Sequence, residues 1–195
     1  MLLTADPSLS FDPVEHRYFV GTRELISVTT ALKEAGLVNS DYYTADSAAR
    51  GTAIHQAIHD MDEGRLSNID DCDADLRPYV RAYRLFCAWA QPTWCYIEHP
   101  VHDAVLGYAG RLDRAGTFGV NGMTCVLDVK TGGVQSWAAL QLAAYRRCLP
   151  APHTWNRLVL QLKADGTYAL HQYTDRHDEK TFLAALHLAL WKRAH

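Results

Sequence analysis

Asp113, Asp128 and Lys130 are the residues whose types and spacing point most directly to chemistry. Asp128 and Lys130 stand two apart in the strand-like run Cys125-Val126-Leu127-Asp128-Val129-Lys130, so their side chains leave the same face of a strand. Asp113 closes Gly110-Arg111-Leu112-Asp113 in the strand-like run before it. Directly opposite residues of an antiparallel pair share a face. A two-residue turn at Asn121-Gly122 sets Asp113 opposite Lys130, whereas a four-residue loop over 119–122 sets it opposite Asp128. Either loop gathers the three charges on one sheet face. If the preceding loop centres on 104–107, Glu98 joins the row opposite Asp113.

Carboxylates crowded on one sheet face repel each other unless something compensates. A divalent cation is the usual compensation, and oxygen ligands suit Mg²⁺ or Mn²⁺. The competing reading is a solvated face carrying a cross-strand salt bridge. It fits less well because Leu112, Val126, Leu127 and Val129 make the surrounding strands apolar.

The elements that must hold these residues can be read from periodicity. Residues 16–29 predict a β-hairpin turning at Gly21 and leading into a helix near 28–36. A helical pattern over 44–62 stops at Gly64, and a second covers 75–90, with Tyr79, Tyr83, Phe86 and Ala90 on one face. The acidic stretch Asp70, Asp71, Asp73 and Asp75 reads as a solvated, N-capping loop in preference to a calcium loop. The period then changes to two, predicting strands over 94–103, 108–118 and 123–130. A helix over 136–148, strands over 155–163 and 167–173 about Asp165-Gly166, and a helix over 178–193 complete the chain. That order predicts an α/β or α+β sheet with helices on its faces.

The chain has 195 residues and shows no repeat, linker or low-complexity tract, so it reads as one domain over 1–195. No apolar run is long enough to span a bilayer, and the N-terminus lacks a secretory pattern, so the expectation is a cytoplasmic protein with no membrane partner. The cysteines at 72, 87, 95, 125 and 148 have no CxxC spacing and read as small buried hydrophobes. A net charge of −3 speaks mildly against a nucleic-acid partner, unless the acidic residues gather at a metal site.

Four stretches in order carry a family resemblance. They are Arg50-Gly51-Thr52-Ala53-Ile54-His55, Gly110-Arg111-Leu112-Asp113, Asp128-Val129-Lys130-Thr131-Gly132, and Gln141 with Tyr145 four residues on. Together they resemble the signature of RecB-type nucleases of the PD-(D/E)XK superfamily, and the opening His16-Arg17-Tyr18-Phe19-Val20 is similar to the short phage-encoded exonucleases among them. The likeness runs over residues 16 to 190.

The resemblance implies a restriction-endonuclease-like core, a central mixed β-sheet flanked by helices. It also implies that Asp113 and Asp128 hold Mg²⁺ or Mn²⁺, aided by the Val129 carbonyl and by His55, with Glu98 as a possible outer acid. Lys130 would serve the attacking water or the charged transition state. Gln141, Tyr145, Thr131 and Arg111 would touch DNA. Arg146 and Arg147 are further candidates for a DNA-facing patch, and solvated charges are the rival reading. Some relatives carry a four-cysteine iron–sulfur cluster. The scattered cysteines here depart from that pattern, so no cluster is expected.

The expected activity is a Mg²⁺- or Mn²⁺-dependent deoxyribonuclease, an exonuclease of phage replication, recombination or repair. Any helicase or recombinase partner would be a separate chain. The alternatives are a flap endonuclease, an RNA nuclease, and a non-catalytic DNA-end-binding module on the same fold.

Overall fold

The computed structural model describes residues 8–38, 44–119 and 121–195. The residues read above for secretory character lie partly in 1–7, and residue 120 of the 119–122 loop is also outside the described set.

Strands β1 (Leu9–Asp12), β2 (Arg17–Val20) and β3 (Arg23–Ser27) form an antiparallel meander. Helix α1 (Val28–Glu34) follows, with Ser27 accepting from the Thr30 N–H as its N-cap. The hairpin at Gly21 is present as expected, whereas β1 was not anticipated. Helix α2 (Ala45–Asp62) opens on a reciprocal cap between Thr44 and Ser47.

Helix α3 (Arg77–Ala90) starts two residues later than the pattern indicated, with a proline in its first turn. The acidic loop before it does not cap it. Leu76 occupies the N-cap without a side-chain bond, and Ile69–Asp71 forms a short 3-10 turn capped by Asn68. Three long strands come next: β4 (Thr93–Asp103), β5 (Tyr108–Phe118) and β6 (Met123–Lys130). Helix α4 (Ala138–Arg147), strands β7 (Asn156–Leu162) and β8 (Tyr168–Tyr173), and helix α5 (Asp178–Ala194) complete the chain.

The strands make one mixed sheet ordered β1-β2-β3-β5-β6-β7-β8, with β4 on the other edge of β5. β6 and β7 run parallel and are joined through α4, so both of their faces are covered and their central residues are buried on both sides. On one face α1, α4 and α5 pack over Leu112, Val126 and Val159. On the other, α2 and α3 pack over Leu127, Val129, Leu158 and Leu160. Helix α4 is buried along almost its whole length, as an apolar helix between a sheet and α5 should be. No helix among the described residues is long and apolar enough to cross a membrane. Of the cysteines only Cys125 is buried, which corrects the expectation for the other four; Cys95 is exposed.

A gap on one edge of β5 positions the site. β4 pairs with β5 from Tyr108 to Thr117. On the opposite edge, β6 pairs with Arg114–Phe118 and β3 with Tyr108 and Ala109. Residues 110–113 have no ladder partner on that edge, because β6 turns away from β5 beyond the Arg114–Leu127 rung. The register also decides between the two loop lengths. Gly122 donates to the Gly119 carbonyl, and Arg114 faces Leu127, so the four-residue loop forms and Asp113 lies one step beyond that rung, towards Asp128.

Candidate metal centre

The gap between β5 and β6 is stitched by side chains. The Asp113 carboxylate accepts the Val129 N–H (2.6 Å), a donor that a continuous ladder would have given to a backbone carbonyl. The Val129 carbonyl accepts from His55 Nε2 (3.1 Å). A carbonyl can only accept, so Nε2 carries the proton and Nδ1 is left facing the acids. His55 Nδ1 lies 3.6 Å from Glu98 Oε1 and 3.8 Å from Asp113 Oδ2. Ligand atoms of His55, Glu98 and Asp113 all fall within 4.8 Å of one another, and among the described residues this is the one such group.

Each member comes from a different element. His55 projects from α2, whose Ile54 and Ile58 anchor it against β6 and β7. Glu98 sits in β4 with φ of +45°, a left-handed backbone that a non-glycine residue holds only when its surroundings impose it. Arg111 and Arg114 are those surroundings. Arg111 Nε donates to the Glu98 carbonyl (3.0 Å), and Arg114 NH1 donates to Glu98 Oε1 (2.9 Å). Sequence placed Glu98 as an outer acid; the fold puts its carboxylate level with that of Asp113.

The electrostatics follow from this crowding. Burial, reinforced by the charges of Asp128 and Glu98 and opposed by His55, pushes the Asp113 carboxyl up to about 6. Burial works against a charged imidazole, yet Asp113 and Glu98 outweigh it and raise His55 to about 9. Glu98 moves down instead, because His55 and the Arg114 guanidinium overcome its burial. The group is short of positive charge, and His55 meets part of that need by holding a proton.

Asp128 and Lys130 form the other half of the site. The Lys130 ammonium lies 2.9 Å from Asp128 Oδ2 and 3.2 Å from Oδ1, and donates to Gln141 Oε1 (3.4 Å). Asp128 Oδ2 is buried, and the ammonium is its charge partner without being a well-directed hydrogen-bond donor to it. Gln141 in turn donates to the Tyr145 hydroxyl (3.2 Å), and the Trp137 ring lies 5.2 Å from the ammonium. Gln141 and Tyr145 are both buried, so within this fold they steer Lys130. Tyr145 fills the space above Gly110, where a Cβ would stand 2.5 Å from its Cε1.

A buried network behind the site escaped the sequence reading. Arg114 is fully buried and donates to Asp62 (2.6 Å), Glu98 and the Asp113 carbonyl (2.7 Å). Tyr83 donates to Asp62 (2.8 Å), and Trp94 Nε1 donates to the Tyr83 hydroxyl (3.2 Å). The available signals were a charged residue inside an apolar strand and an aspartate two helical turns after His55.

The site opens into a cleft of about 530 Å³ lined by Arg50, His55, Glu98, Lys130 and Thr131, among others. Asp113 and Asp128 sit behind that wall. Gly51 packs against Thr131, where a Cβ would lie 3.7 Å from Oγ1, which brings the Arg50–His55 segment against the end of β6. Arg111 is half exposed beside Glu98 (Nε to Oε2, 3.3 Å). Arg146 and Arg147 are paired with Glu179 away from this cleft. The chain matches no protein-family model and no curated protein.

Proposed function

We propose that this chain is a divalent-metal-dependent nuclease with a PD-(D/E)XK-type core, hydrolysing phosphodiester bonds of DNA. One observation carries the reading. In the gap between β5 and β6, an acid–imidazole group able to hold a cation stands beside an Asp128–Lys130 pair, with His55, Glu98 and Lys130 lining an open cleft.

The donor chemistry fits a cation. Two carboxylates and one imidazole nitrogen converge from three elements; burial raises the Asp113 carboxyl, and the neighbouring carboxylates raise His55. Asp113, Glu98 and His55 would hold the ion, with Asp128 adjacent; the imidazole suits Mn²⁺ somewhat better than Mg²⁺. Bound there, the ion supplies Lewis-acid polarisation of the phosphoryl oxygens and a lowered pKa for water.

The chain's own residues do the rest. Arg50, Thr131 and the Gly132-Gly133 backbone on the cleft wall offer cationic and N–H groups to a phosphodiester. Lys130, fixed by Asp128 and Gln141, donates to a phosphoryl oxygen as negative charge develops there. A water oxygen forms the new bond to phosphorus while one P–O ester bond breaks, and the water proton ends on the leaving oxygen.

The test is a cleavage assay on end-labelled linear, circular and flap DNA with Mg²⁺, Mn²⁺ or EDTA. Loss of linear but not circular DNA is the expected result. Nicking of circles makes the enzyme an endonuclease, and no cleavage of any substrate with either metal overturns the reading.

A further inference from the structure

A second cleft lies at the far end of the β6–β7 ladder. Cys125 pairs with Asn156 at the start of β7, and Lys130 pairs with Gln161 near its end. Five residues separate the two rungs, roughly 16 Å at strand rise. The cleft, about 750 Å³, is lined by residues that include Arg146, Trp155, Arg157, Tyr173, Arg176 and Lys180.

Its charge is not balanced within the wall. Of the acids at its edge, Asp178 and Glu179 are paired with arginines, and exposed Asp175 is bonded only within its own turn. Asp178 takes Arg157 NH1 (2.6 Å), Glu179 takes Arg147 NH1 (2.8 Å) and Arg146 NH2 (3.5 Å), and Asp175 is held by the His177 N–H (2.8 Å). Arg176 and Lys180 are exposed and make no ion pair among the described residues. Arg157 is 2% exposed, and its Nε is buried without a hydrogen-bond partner, as is that of Arg146. Two exposed cations without an ion pair therefore stand on the wall of this cleft, in a chain of net charge −3. Trp155 and Tyr173 add two half-buried rings packed against the core, with Trp155 Nε1 tied to the Pro150 carbonyl (2.8 Å). Rings of fixed orientation beside uncommitted cations recognise an unstacked base and its phosphate.

We propose that this cleft is a nucleotide-binding subsite. A phosphate would rest on Arg146, Arg176 and Lys180, and a base would lie against Trp155 or Tyr173. The nucleotide is either free or part of a single strand. The inference extends the nucleic-acid reading above, but its test needs no cleavage.

Binding of a fluorescein-labelled 12-residue oligothymidylate is measured by anisotropy in EDTA across a salt series, with dTMP as competitor. Wild type should bind, and Arg176→Ala/Lys180→Ala should weaken binding at least tenfold. It should also lower the salt slope by about 1.4, roughly 0.7 per cation lost on a single strand. Trp155→Leu should weaken binding about five-fold or more, the scale of one lost stacking contact. The double alanine variant should melt with wild type, because neither side chain has an ion-pair partner among the described residues. Competition by dTMP identifies a free nucleotide as the ligand, and binding that dTMP does not displace identifies a strand. Wild-type affinity and salt slope in both variants, or no oligothymidylate binding by wild type at low salt, overturns the subsite. A protein that cleaves DNA yet shows either result keeps the catalytic reading and loses only this one.

Discussion

At Lys130 two roles lead to different measurements. As an electrostatic or proton-handling group it acts mainly in the transition state, so Lys130→Ala should cut the cleavage rate by about two or more orders of magnitude. Mn²⁺ affinity should hold or tighten, because a like charge has gone from beside the ligands. A structural salt bridge to Asp128 predicts instead a lower melting temperature and a modest, proportionate loss of rate. Rate, Mn²⁺ affinity and melting temperature of one variant separate the two, and near wild-type cutting by Lys130→Ala is incompatible with the mechanism. His55 is tested on a different axis. Its Nδ1 faces Glu98 and Asp113 while Nε2 is occupied by the Val129 carbonyl. His55→Ala should raise the Mn²⁺ concentration for half-maximal cleavage well before it alters DNA affinity. An unchanged metal titration demotes the residue to packing.

Between elements, the site depends on β6 leaving β5 after the Arg114–Leu127 rung and on what fills the gap. Arg114 is central there, because it joins the end of α2 at Asp62 to β4 at Glu98 with no water access. Removing one partner of a buried pair strands the other charge, so Arg114→Met should destabilise the fold by about 3–5 kcal/mol. Arg114→Met/Asp62→Asn should recover part of that loss, since the abandoned carboxylate is gone. Urea denaturation of the two variants measures this. Equal stabilities would show that Asp62 is not the partner that matters.

For the whole molecule, the sharpest expectation is that a divalent ion binds the native state and not the unfolded chain, whose ligands are scattered from His55 to Asp113 along the sequence. An ion at a hundred times its dissociation constant adds about 2.7 kcal/mol. For a chain of this size that is a rise in melting temperature of roughly 5–10 °C. The rise should vanish in EDTA and in Asp113→Asn. A wild-type melting temperature that Mn²⁺ leaves unmoved removes the metal centre and the proposed function with it.

The alternation of Asp128 and Lys130, the strands that carry them and the helices around them were legible in the sequence, because side-chain period and turn chemistry are local properties. So was the place of Glu98 opposite Asp113, which needs only a loop length. The hairpin register stayed open between two even loops, because Asn121-Gly122 serves as the turn in one and as its last half in the other; a two-residue shift leaves every side chain on its face, and only the folded loop, closed by Gly122 on the Gly119 carbonyl, decided it. Three things were set only by tertiary structure. β6 parts from β5 beyond the Arg114–Leu127 rung while it stays paired with β7 as far as Lys130. Glu98 takes a left-handed backbone, because two arginines hold its carbonyl and carboxylate. Arg114 is buried, because Asp62 arrives from a helix 52 residues earlier to neutralise it. Burial of a charge depends on a partner distant in sequence, and periodicity carries no information about that partner.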